Sequence, residues 1–379
     1  MIENIIPFVC FIIFFFIISL TDTIPINFTV KSRKVLYYSS FFVLIIFAGC
    51  RWSSWEIGYE TWIFDYDSYH KVYDEALPLK SFFTSYTDAS IEVKQIDIGY
   101  LLWNSIAKNI IGDNYNLYLL FTNTIIIILL FAAFKKNNIT GGIFFIIFFY
   151  ASRLYFQYNF TLMRQAISIV IIWYALQYLT KHNLKKYILL VCIATTFHFS
   201  AIVCFLFPFL KKIKINTYLY FTILITSIVL GYLGVTNQLI EGVLTTTLNS
   251  MGLPISDKLT RYLDFEGESN ILNFAEAIPF LYMAISSKNK LIKTQEGKFY
   301  YNMLFCYVLL MAITMNFFFI TRFWHYMIIS YIYILSYYYN SNKHRILFYI
   351  LTLYFLIYAM RYIMIWFYDV PYSCFLFHL

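Results

Sequence analysis

Ten stretches of this chain are apolar and long enough to approach a bilayer crossing, and they leave few choices of fold. They lie near residues 2–20, 35–50, 115–134, 141–159, 164–180, 217–235, 271–287, 299–319, 323–340 and 346–367. Spanning the hydrocarbon core takes about 20 apolar residues of helix. Inside that core every backbone N–H and C=O must be bonded within the protein, so such runs become helices. Only 13% of the 379 residues are charged, where soluble domains carry about 25%. The expected fold is all-α: one polytopic helical bundle over 1–379, with about ten transmembrane helices. The first run has neither a basic leader nor a small-residue cleavage site, so it reads as a span rather than a cleaved signal.

Basic residues set the orientation, because cytoplasmic loops carry the excess of Lys and Arg. Lys31, Arg33 and Lys34 follow the first run, Lys135 and Lys136 the third, and Lys181, Lys185 and Lys186 the fifth. Lys288, Lys290, Lys293 and Lys298 precede the eighth, and Lys343 and Arg345 the tenth. Every cluster falls inside if both termini face out. The net charge of +8 is carried by these clusters and is not a nucleic-acid signature. One segment resists simple alternation. Residues 187–210 are apolar, yet Lys185 and Lys186 flank one end and Lys211, Lys212 and Lys214 the other. A single span there would invert everything after it. The expected form is a re-entrant hairpin of two half-helices, with Thr195, Thr196, His198 and Ser200 near its tip. Non-helical backbone at that depth must be buried in protein or line a wet cavity.

Two larger outer loops follow from this topology. The first, 51–114, begins acidic and aromatic and ends in an amphipathic helix over 97–111 that leads into the third span. The second is 236–270. The six cysteines are scattered with no C-x-x-C pair, so neither a metal site nor a disulfide framework is read from their spacing.

Several residues stand where a charge or ring is costly. Arg164 and Gln165 open the fifth span from outside. A guanidinium suits a diphosphate or a carboxylate, and a helix N-terminus adds to the pull on an anion. The alternative is an anchor that snorkels to lipid phosphates. Arg153, inside the fourth run, faces the same choice between a cavity and a partner. Arg322, with His325 and Tyr326 beside it, starts the ninth run at the same outer level. His198 sits well inside an apolar run, where its ring must find a partner. Asp65 and Asp67 form a D-x-D in the first outer loop, able to hold a divalent cation or supply a base, or merely to be solvated. No third ligand is in view, so no metal is expected. Trp62 and Tyr69 in that loop suit a sugar surface. Asp97 begins the amphipathic helix, as a carboxylate for chemistry or as an N-cap.

Arg164-Gln165-Ala166-Ile167-Ser168, a basic turn, and then Ile193-Ala194-Thr195-Thr196-Phe197-His198-Phe199-Ser200-Ala201 together resemble a family pattern. It is that of the EpsG-like and Wzy-type polysaccharide polymerases of bacterial inner membranes. Upstream, Arg51, Asp67-Ser68-Tyr69 and Asp97-Ile98-Gly99-Tyr100 resemble the family's R…D-x-x-Y…E-x-G-[FY] series, with Asp97 where Glu is usual. Arg322 to Tyr326 resembles its late R-x-x-x-Y. The resemblance implies a glycosyltransferase that joins undecaprenyl-diphosphate-linked oligosaccharide repeat units on the periplasmic face, making O-antigen or a related surface polysaccharide. It implies Arg51, Arg164, Gln165 and Arg322 at the diphosphate, Trp62, Tyr69 and Tyr326 at the sugar, and Asp67, Asp97 and His198 in the chemistry. No cofactor is expected. The expected partners are the lipid-linked oligosaccharide and membrane lipids, with a chain-length regulator as the candidate protein partner and no nucleic acid. An O-antigen ligase would use similar arginines and a His, with a longer late outer loop. A flippase or transporter would lack the acidic, Trp-rich loop and show repeated halves, which this sequence does not.

Overall fold

The computed structural model describes residues 2–24, 28–51, 66–88, 96–236, 238, 239, 242, 272–315, 322–341, 346–367, 372 and 374. In chain order its main helices are α1 (Ile2–Thr23), α2 (Val30–Gly49), α3 (Tyr66–Asp74), α4 (Ile98–Ile111), α5 (Tyr115–Lys136) and α6 (Ile143–Tyr150). α6 runs on as a π-helix, Ala151–Thr161. Then come α7 (Met163–Thr180), α8 (Leu184–Phe197), a 3₁₀ segment Phe199–Leu206 continuing as α9 (Phe207–Leu210), and α10 (Thr217–Tyr232). The chain ends with α11 (Leu272–Ser286), α12 (Gln295–Ile313), α13 (Ile329–Ser341) and α14 (Ile346–Trp366). The described residues contain no strand, only an isolated bridge between Arg51 and Cys374.

Each of the ten apolar runs carries a helix close to its expected bounds, and the amphipathic helix before the third run is α4. Among the described residues three helices are long and apolar enough by themselves to cross a membrane: Ile5–Thr23, Tyr115–Lys136 and Ile346–Trp366. Shorter apolar helices include Thr217–Tyr232 and Phe199–Leu210. The helix ends follow local chemistry. Asn114 caps α5 through its side chain, 3.0 Å from the Leu117 amide, and Asn183 caps α8 in the same way. His182, with φ of 61°, makes the left-handed turn between α7 and α8.

The chain folds into two compact units. The first comprises Met1–Tyr178, Asn183–Phe199 and Asn342–Leu379; the second comprises Leu179–His182 and Ser200–Ser341. In the first unit α1 packs on α6 and α14, α2 packs on α5, and α4 packs on α3, α5 and α8. Aromatic rings fill its core: Phe11 stacks on Tyr155 at 4.9 Å and on Phe47 at 4.3 Å. A buried polar network runs through that core. Asn123 of α5 donates to the carbonyls of Leu44 and Ile45 of α2, at 3.0 and 2.7 Å, and accepts from Asn159. Tyr150 donates to Asn159, and Tyr155 donates to Leu44 while accepting from the Ala48 amide. At the end of α1, Asp22 accepts from Arg33 at 2.6 Å and from the first amides of α6, Phe144 at 2.8 Å and Phe145 at 3.3 Å. A carboxylate there answers the orphan amides and the dipole of a helix start.

In the second unit α12 packs on α10, α11 and α13. Asn302 donates to the carbonyls of Leu210 and Ile213, and Tyr220 donates to the carbonyl of Phe305. Lys211, just past α9, donates to the carbonyl of Leu179, just before the basic turn that starts α8. The helical break after α8 falls at His198.

Candidate functional site

Four separated motifs converge in the first unit. Asp97 occupies the N-cap position of α4, but its side chain makes no capping bond. Its carboxylate instead accepts from Arg164 Nη1 at 3.1 Å through one oxygen and from the Phe199 amide at 3.2 Å through the other. The pair is partly screened from solvent, with 25% of the Arg164 side chain and 20% of the Asp97 side chain exposed. The Tyr69 hydroxyl is a hydrogen-bond partner of Arg164, whose guanidinium carbon lies 5.9 Å from the Tyr69 ring centre. D-S-Y, D-I-G-Y, R-Q-A-I-S and F-H-F-S-A thus each put a group into one cluster.

Two contacts set the spacing of that cluster. The start of α4 lies against the end of α8 so closely that a Cβ on Gly99 would stand 2.3 Å from Thr196 Oγ1 and 2.7 Å from the Thr196 carbonyl carbon and oxygen. Only glycine permits that approach. Ser168, one helical turn after Arg164, donates to the carbonyl of Ala194 at 2.9 Å and so ties α7 to α8. Tyr100 is fully buried, meets the Tyr69 ring edge-on at 5.6 Å, and accepts from Tyr118 at 2.9 Å. Burial, with Tyr69 close by, holds the Tyr100 phenol well above its ordinary value, so it stays neutral. Gly99 and Ser168 both lie within the quoted motifs, yet neither had been given a task. The glycine two residues after a helix-starting acid was the available signal.

The break at His198 is part of the site. His198 has extended backbone, φ −156° and ψ 118°, while its amide still bonds back to Ala194 at 3.1 Å. Ending α8 there frees the next amide, that of Phe199, to reach Asp97. The His198 side chain is half-buried. Gln165, beside Arg164, is buried.

The remaining expected residues are placed differently. Arg51 is buried at 3% exposure, and its guanidinium donates to the carbonyls of Ala48 at 2.8 Å and Asn159 at 2.7 Å. It also lies 4.7 Å from the Phe160 ring centre and reaches the sulfur of Met163, the residue before Arg164. Its donors serve the backbone at the end of the π-helix, where wide turns leave carbonyls to be satisfied. Tyr69 is 4% exposed, with its ring held among Arg164 and Tyr100. Arg153 lies over the Tyr358 ring at 5.0 Å. In the second unit Tyr326 is fully buried, and its hydroxyl bonds Ser200 Oγ at 3.0 Å. This joins the late R-x-x-x-Y to the S-A end of the His198 motif. Arg322 is half-buried in the turn before Tyr326. Asp67 stands in the first turn of α3, but its side chain, like Trp62 and Asp65, lies outside the described residues, as does nearly all of 236–270. Among the described residues no group of three His, Cys, Asp or Glu side chains gathers to hold a metal ion.

A helical membrane bundle with an arginine–carboxylate pair seated on a broken helix is the class this fold and site define. The EpsG family model matches residues 34–376, and the chain belongs to the EpsG family. It is thereby a membrane protein of the polysaccharide-polymerase type. No curated protein and no solved structure matches the chain.

Proposed function

We propose that this protein polymerises undecaprenyl-diphosphate-linked oligosaccharide repeat units into a surface polysaccharide, working on the periplasmic face of the bacterial inner membrane. The observation that carries the reading is the Arg164–Asp97 pair, seated on Tyr69 and on the Phe199 amide. The proposed topology keeps ten spans with both termini outside. It has 187–210 re-entering from the cytoplasmic side, a path supported by the Lys211–Leu179 contact and the helical break at His198.

The chemistry follows from the charges. A hydroxyl oxygen of the acceptor unit bonds to the anomeric carbon of the growing chain, and the bond from that carbon to the lipid diphosphate breaks. The diphosphate leaves as an anion, and a fixed guanidinium stabilises charge that grows in the transition state. Arg164 takes this task, with Gln165 next to it. Without substrate Arg164 is neutralised by Asp97. An arriving diphosphate competes for the guanidinium and releases one carboxylate oxygen of Asp97. That oxygen, or the imidazole of His198, takes the proton of the attacking hydroxyl. Asp67 is retained as a second carboxylate from the D-S-Y motif. Arg322 is assigned to lipid diphosphate binding on its motif alone. Arg51, Tyr69 and Tyr326 are assigned to positioning, since each is buried and in contact with protein groups. Trp62 is kept as the sugar-facing residue of the first outer loop.

The test is the purified protein in lipid with a lipid-linked repeat unit, with glycan length read on a gel. A ladder that requires Arg164 supports the reading. Deletion in the native host should leave surface glycan capped with single units. A mutant with no surface glycan would instead point to a flippase or a ligase.

A further inference from the structure

Two of the dispersed cysteines meet in the first unit. Cys50 follows the last turn of α2 and is fully buried; Cys374, in the C-terminal tail, is 7% exposed. The backbones of Arg51 and Cys374 pair as an isolated antiparallel bridge, which sets Cys374 beside the residue after Cys50. Tyr372 fixes the register: its ring stacks on Phe47 at 4.4 Å and 7°, and its hydroxyl donates to the Phe47 carbonyl at 2.7 Å. The Cys50 and Cys374 thiols, both free and both buried, are close enough to interact. A disulfide needs Cα atoms within about 7 Å and side chains that converge. Two buried, interacting thiols with a backbone bridge one residue away are placed for such a bond.

We propose that Cys50 and Cys374 form a disulfide in the mature protein, tying the C-terminal tail to the end of α2. The proposal rests on the outward-facing topology advanced above, which puts both residues in a compartment where disulfides persist. The thiolate of one cysteine attacks the disulfide of a thiol oxidase of that compartment and forms a mixed disulfide. The second thiolate then displaces the oxidase, which leaves as a dithiol carrying the two electrons and the two protons. The bond also steadies Arg51, and through its grip on the Asn159 carbonyl it steadies the end of the π-helix ahead of Arg164.

The test counts thiols in the full-length protein, purified from an oxidising host, acid-quenched, denatured and alkylated with a polyethylene-glycol maleimide. Six cysteines are present, so the bridge predicts four adducts without reduction and six after it. Cys50→Ser should give five adducts under both conditions. Three adducts from unreduced Cys50→Ser would mean a different pairing and would overturn the proposal. Six adducts from the unreduced native protein would overturn it as well. A reporter fused after Leu379 then separates the causes. An outward signal with six free thiols rejects the bridge alone, and a cytoplasmic signal rejects the topology and the bridge with it.

Discussion

Replacing Gly99 with alanine puts a methyl group where the structure has no room for one. The added carbon would lie 2.3 Å from Thr196 Oγ1 and 2.7 Å from the Thr196 carbonyl carbon and oxygen, against ordinary contacts of 3.4–4 Å. The hydroxyl can rotate away, but the backbone cannot. The start of α4 must therefore retreat from the end of α8 by about 0.7 Å, the shortfall to 3.4 Å at the carbonyl. Asp97 lies two residues before Gly99, and its bonds to Phe199 and Arg164 are already 3.2 and 3.1 Å long. A retreat of that size takes both past good hydrogen-bond geometry. Overpacking of this kind costs about 1–3 kcal/mol of stability, and a displacement near 1 Å at a reacting group lowers turnover by about 100-fold. The assay is chain extension by Gly99→Ala in lipid, beside its thermal midpoint and its amount in the membrane. Thr196→Ala added to Gly99→Ala should restore only part of the activity, because the carbonyl stays in place. Native activity in Gly99→Ala, or full rescue by Thr196→Ala, would refute the backbone-contact argument.

Arg164→Ala should abolish chain extension at unchanged protein level, and Arg164→Lys should impair it heavily, since lysine keeps the charge but loses the planar fork; full-length glycan from Arg164→Ala rejects the diphosphate role. Asp97→Asn keeps an oxygen for the Phe199 amide but loses the base, so it should bind lipid-linked substrate and extend it about 10²–10⁴-fold more slowly; an unchanged rate removes Asp97 from proton transfer. Arg51→Met strands the carbonyls of Ala48 and Asn159 and should cost about 2–5 kcal/mol in detergent unfolding; native stability with lost substrate binding would return Arg51 to the diphosphate. Reporter fusions after Lys214 and after Lys293 should both read cytoplasmic, and an outward signal at Lys214 would sink the hairpin.

Where helices form was legible in the sequence, because apolar length and flanking charge are local properties. The ten runs, the amphipathic helix α4 and the basic turn before α8 all stand in place. So was the set of motifs that builds the cluster, since Tyr69, Asp97, Arg164 and Phe199 each fall inside one. Which atoms they offer one another was not legible. Asp97 and Arg164 are 67 residues apart, and an acid at the head of a helix reads equally as a cap; the packing of α4 on α8 turned its carboxylate to a guanidinium instead. That Arg51 bonds the backbone was not legible either, because nothing local shows that the π-helix leaves carbonyls beside it to be satisfied. Nor was the burial of Tyr69 and Tyr326, because burial is set by what packs over a ring. The Cys50–Cys374 contact joins residues from near opposite ends of the chain. No spacing rule reaches that far, so only tertiary packing, with its Arg51–Cys374 bridge, could bring those thiols together.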